Sequence, residues 1–78
     1  MSSELSHGML LLDQGRLEDA ESCFISVLSK DPVNHFAQSR LAVCRMQQPG
    51  RKKDALESID EAIRLEPNED YYHSLRSL

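Results

Sequence analysis

Three kinds of residue in this chain have side chains able to do chemistry. His7, His35 and His73 are candidates for metal ligation or proton transfer, Cys23 and Cys44 for nucleophilic or redox work, and Arg51-Lys52-Lys53 for holding an anion. None has the spacing that its chemistry needs. A helical zinc site places two histidines at i and i+4 around a glutamate, and a thiolate site pairs cysteines two residues apart. Neither arrangement occurs, so no metal and no cofactor is expected. A reactive thiolate needs a cation or a helix N-terminus to lower its pKa. Cys44 is followed by Arg45, but neighbours along a helix point apart, so both cysteines read as small apolar residues. The glycines Gly8, Gly15 and Gly50 are too scattered to cradle a phosphate. With no nucleophile–base pair and no metal cluster, the chain is expected not to be an enzyme. Arg51-Lys52-Lys53 falls at a predicted helix start, where positive charge opposes the helix dipole. A binding role for acidic groups is one reading of that misfit; a solvated turn is preferred.

The elements that would position these residues come from a chain of 78 residues, enough for one small domain. A domain of this size buries only about 60–65% of the surface it exposes when unfolded, so its stability margin is thin. Apolar residues at 40% and charged residues at 28% suit a globular chain. The net charge of −4 argues against nucleic acid, which needs cations to displace phosphate counterions. The longest apolar runs, Met9 to Leu12 and Leu41 to Cys44, are far too short to span a membrane. The start, Met1-Ser2-Ser3-Glu4, lacks the pattern of a signal peptide, and two unpaired cysteines suit a reducing compartment. The cytoplasm is the expected location. A helical stripe still running at Leu78 fits a piece of a longer chain.

The chain repeats itself. Gln14-Gly15-Arg16-Leu17-Glu18-Asp19-Ala20 returns as Pro49-Gly50-Arg51-Lys52-Lys53-Asp54-Ala55, with Gly15 and Gly50 separated by 35 positions. Asp31-Pro32 returns as Glu66-Pro67 at the same offset, and the apolar set Phe24, Val27, Leu28 returns as Ile59, Ala62, Ile63. Apolar residues at steps of three and four mark helices after each glycine, and each proline stops one. The preceding helices are predicted at about Ser3–Gln14 and Asn34–Gln48, with Asn34 as N-cap. A last helix follows Pro67, with Asn68 as its cap and Tyr71, Leu75 and Leu78 as its stripe. Asp60 and Arg64 are predicted to pair along one helix. No run alternates with period two, so no strand is expected.

Gly8, Leu11, Ala20-x₃-Phe24 and Pro32, then Leu41-Ala42, Ala55-x₃-Ile59 and Pro67, resemble the tetratricopeptide repeat. The chain departs from that pattern at Glu4, His7, Gln38 and Arg45, and carries one extra residue, Pro49, in its second inter-helix turn. The resemblance implies an all-α fold: antiparallel helix-turn-helix repeats stacked as a short, right-handed α-solenoid. One domain over 1–78 is expected, with repeat one at about 1–33, repeat two at about 34–67 and a C-terminal capping helix at about 68–78.

The resemblance also implies a protein-interaction module whose first helices line a concave groove. Carried over, the groove residues are Leu5, Met9, Leu12 and Asp13, followed by Phe36, Ser39, Val43, Met46 and Gln47. One subset of the family grips a C-terminal carboxylate with Lys and Asn on these helices. Leu5 and Met9 stand at the comparable places here, so that mode is not expected. An apolar groove containing Met suits a peptide or an amphipathic helix, because Met adapts to varied shapes. The expected partner is therefore a protein or peptide, not nucleic acid and not a membrane. The alternatives are self-association as a homodimer and a regulatory or targeting appendage of a larger enzyme.

Overall fold

The computed structural model describes residues 3–77. They form five helices in chain order: α1 (Ser3–Asp13), α2 (Leu17–Lys30), α3 (His35–Met46), α4 (Lys52–Leu65) and α5 (Asp70–Arg76). No strand occurs among the described residues. Each of the first four helices packs on the next, and α5 rests on α4. The all-α architecture of stacked helix pairs is thus the one expected.

The punctuation that ends each helix is local. Gly15 and Gly50 have φ of 77° and 74°, the left-handed region that L side chains avoid. No atom lies within 4 Å of where a Cβ would sit at either position, so backbone conformation, not room, calls for glycine. At the first turn the Arg16 N–H donates to the Leu11 carbonyl at 2.9 Å and the Gly15 N–H to the Leu12 carbonyl at 3.0 Å, a Schellman closure. The second turn holds the extra residue Pro49 and closes differently: the Gln48 N–H donates to the Arg45 carbonyl and the Arg51 N–H to the Gln48 carbonyl.

At the other ends, proline forces the preceding residue out of the helical region. Asp31 (φ −139°) and Glu66 (φ −143°) sit in almost the same extended conformation before Pro32 and Pro67. Asn34 caps α3 as predicted, accepting from the Ala37 N–H at 3.0 Å. The cap of α5 is a correction: Glu69, not Asn68, accepts from the Tyr71 N–H.

Two apolar clusters form the interior. Leu5, Leu11, Ala20, Phe24, Val27, Ala37, Leu41 and Cys44 make the first; Ala42, Ile59, Ala62, Tyr72 and Leu75 make the second. Gly8 is where α1 meets α2: an added Cβ would lie 2.9 Å from Phe24 Cε1 and 3.0 Å from Cys23 Cβ. The buried stripe of α5 is Tyr72 and Leu75, whereas Tyr71 is exposed. Leu78, the predicted third member of that stripe, lies outside the described residues. The Tyr72 ring turns inward, where its hydroxyl lies 2.7 Å from His35 Nδ1 and the two rings stand in an edge arrangement with centroids 5.6 Å apart.

Two departures from the repeat pattern, Glu4 and Arg45, have polar compensation. Glu4 stands where an aromatic is usual; its carboxylate accepts from Ser26 Oγ and Lys30 Nζ, both at 2.5 Å, clasping the start of α1 to the end of α2. Arg45 donates to Glu21 at 3.0 Å and to Ser58 Oγ at 2.7 Å, joining α2, α3 and α4.

Candidate functional site

A groove of about 440 Å³ opens beside α3, with α5 forming its other wall. Val43, Met46 and Gln47 of α3 line it with Tyr71 and Leu75 of α5 and Lys52 at the start of α4. Val43, Met46 and Gln47 lie a turn apart or closer on one helix face, so α3 presents them together. Lys52 sits at the far end because the Gly50 turn brings the chain back there.

The predicted groove residues divide into three groups. Val43, Met46 and Gln47 come together in this cavity. Met9, Leu12 and Phe36 are partly buried against the first apolar cluster, and Asp13 is exposed at the end of α1. Leu5 and Ser39 are corrections as accessible groove residues. Leu5 is only 4% exposed within the first cluster, and Ser39 is fully buried, its hydroxyl donating to the Phe36 carbonyl at 2.7 Å. Helix α1 lies against both α2 and α3, which encloses the face carrying Leu5. Tyr71, Leu75 and Lys52 were not foreseen in the groove. The stripe and the basic run were visible in sequence, but only the seating of α5 brings them together.

The basic run is also divided by the fold. Arg51 is no free cation: Nη2 donates to Glu21 Oε2 and Nε donates to Asp54 Oδ2, both at 2.8 Å. Burial would raise the Glu21 carboxyl, but hydrogen bonds from Arg51, Arg45 and Gln48 outweigh it and hold the pKa at about 2. Lys52 and Lys53 remain exposed. The predicted Asp60–Arg64 pair does not form. Arg64 instead pairs with Glu61, and Asp60 accepts from Arg76 Nε at 2.6 Å, tying α5 to α4.

The histidines go to three separate places. His7 is exposed on α1, His35 meets Tyr72, and His73 Nε2 lies 2.9 Å from the Pro67 carbonyl. Among the described residues no group of three His, Cys, Asp or Glu side chains is placed to hold a metal ion. Cys44 is buried and its Sγ donates to the Leu17 carbonyl at 2.8 Å. Burial pushes both the Cys23 and Cys44 thiols up, away from the reactive thiolate. No helix among the described residues is long and apolar enough to cross a membrane.

The sequence pattern of the tetratricopeptide repeat matches residues 11–78, nearly all of this helical array. The chain belongs to the tetratricopeptide-repeat family. Members of that family generally mediate protein–protein interactions and are typically non-catalytic. Most of α1 lies before the matched segment, in keeping with Glu4 and His7, which depart from the repeat pattern. No curated protein and no solved structure matches this tetratricopeptide-repeat chain.

Proposed function

We propose that this tetratricopeptide-repeat chain, acting as one unit over 1–78, holds a peptide or an amphipathic helix of a protein partner in the groove beside α3. The observation that carries this reading is the groove itself. Its wall is mainly apolar, from Val43, Met46, Leu75 and the Tyr71 ring, while Gln47 and Lys52 supply polar groups. Apolar side chains of a partner would be buried there, and the polar groups would set its orientation. Met46 is suited to such a site because an unbranched thioether repacks around different shapes. Met9, Leu12, Asp13 and Phe36 extend the same reading along the first helices. A non-enzymatic role in the cytoplasm accords with it.

The test compares the wild type with a Met9→Glu, Val43→Glu variant as bait. Specific partners are expected to be lost from the variant while its helical circular dichroism persists. Equal recovery by both forms would move the binding surface elsewhere.

Self-association is the second reading, and one observation favours it. Leu10 on α1 and Ile25 on α2 are 53% and 47% exposed outside the groove, apolar side chains that a second copy of the chain would cover. Sedimentation at rising concentration tests this; a species that stays monomeric removes the homodimer.

A further inference from the structure

We infer that the groove beside α3 selects an apolar segment carrying a carboxylate beside its anchor, with Lys52 and the Tyr71 hydroxyl as the groups that receive the acid. This rests on the groove reading given above and names the chemistry of the occupant.

The first support is the distribution of cations. Every arginine of the chain, and Lys30, has a partner. Arg16 pairs with Asp19, Lys30 with Glu4, Arg45 and Arg51 with Glu21, Arg64 with Glu61 and Arg76 with Asp60, while Arg40 donates to the Tyr71 hydroxyl. Among the described residues, Lys52 and Lys53 are the Lys and Arg side chains that make no ion pair or hydrogen bond. Carboxylates are not scarce, for the chain has 13 acidic residues against 9 basic ones. The nearest one in sequence, Asp54, is engaged by Arg51. Lys52 lines the groove, and it stands in the first turn of α4, where the helix dipole offers a cation nothing. An unpaired cation at the mouth of an apolar groove favours an anionic group on whatever enters.

The second support stands on the α5 wall. The Tyr71 hydroxyl accepts a hydrogen bond from Arg40, whose guanidinium lies 5.2 Å from the centre of the Tyr71 ring. A phenol has one proton to donate and lone pairs to accept with. The Arg40 bond uses the acceptor side, leaving the O–H free to donate to an incoming carboxylate. Arg40 also places positive charge behind that donor. The groove therefore holds a cation at one end and a cation-backed hydroxyl on its α5 wall, with Val43, Met46 and Leu75 as its apolar lining.

The test is selection from a random helical-peptide display library on the wild type, on Lys52→Glu, on Tyr71→Phe and on Val43→Glu, each checked for helicity by circular dichroism. The wild type should select apolar peptides with Asp and Glu enriched about threefold beside the anchor, the size an exposed charge pair supports. Lys52→Glu should lose that enrichment and turn to Lys and Arg, and Tyr71→Phe should weaken it. Peptides with no charge preference, still abolished by Val43→Glu, would overturn this inference and leave the groove reading standing. Peptides selected equally by wild type and Val43→Glu, or no peptides at all, would overturn both.

Discussion

The two helix pairs solve one packing problem with different side chains. In the first, Gly8 lies against Phe24; in the second, the positions of like kind are Ala42 and Ile59, which share the second apolar cluster. A smaller residue on one helix is matched by a larger one on the other, so the crossing stays filled. The pairs differ again outside the crossing. On α2 the outward residues include Ser22, Ile25 and Ser29, whereas their counterparts on α4 are Glu57, Asp60 and Arg64. The repeat therefore constrains shape at the crossing and leaves the outer faces free to specialise. At these three positions the first pair carries no charge, whereas the second is charged and holds α5 through Asp60 and Arg76.

The largest effect that would break this comparison is at Phe24, which is fully buried. Phe24→Ala should cost about 3–5 kcal/mol, read as the urea midpoint. A loss below that for the matching Ile59→Ala variant would show that the first crossing carries more of the stability. Next comes Gly8→Ala, which should destabilise by about 2 kcal/mol because the added Cβ would lie 2.9 Å from the ring of the fully buried Phe24. The double variant Gly8→Ala, Phe24→Ile imports the second pair's solution and should recover part of that loss. A double variant worse than the additive sum would refute the matched-volume account.

A smaller effect tests the polar link between the pairs. Glu21→Gln should cost about 1–2 kcal/mol at neutral pH, since it removes charge-assisted hydrogen bonds to Arg45 and Arg51. The folded pKa of Glu21 is about 2, below its ordinary value of 4.5. Its contribution is therefore complete above about pH 4.5 and is lost as pH falls towards 2. Denaturation curves of wild type and variant should converge through that window. A gap that stays constant down to acid pH would show that the carboxylate's charge is not what matters.

The smallest effect is at Ile25. Ile25→Asp copies the residue found at position 60 onto the first pair and should change monomer stability by no more than about 0.5 kcal/mol. A much larger, concentration-dependent loss would instead identify Ile25 as an interface between copies.

Much of this architecture was legible in the residues alone. The positions of Gly15, Pro32, Gly50 and Pro67, with the apolar steps between them, specify where helices run and which face turns inward. Those are local consequences: a left-handed turn needs glycine, a residue before proline leaves the helix, and side chains three or four apart share a face. The same locality explains why Asn34 could be named as a cap in advance.

What remained for the tertiary structure was every choice among partners far apart in the chain. Asp60 had a partner in reach along its own helix and took Arg76 instead, because α5 lies beside α4. Tyr72 and not Tyr71 went inside, where it meets His35 of α3. Leu5 and Ser39 were enclosed, while Lys52, Tyr71 and Leu75 were gathered around a groove. Helical periodicity tells which direction a side chain leaves its own axis. Only the packing of one helix on another decides what stands there to meet it.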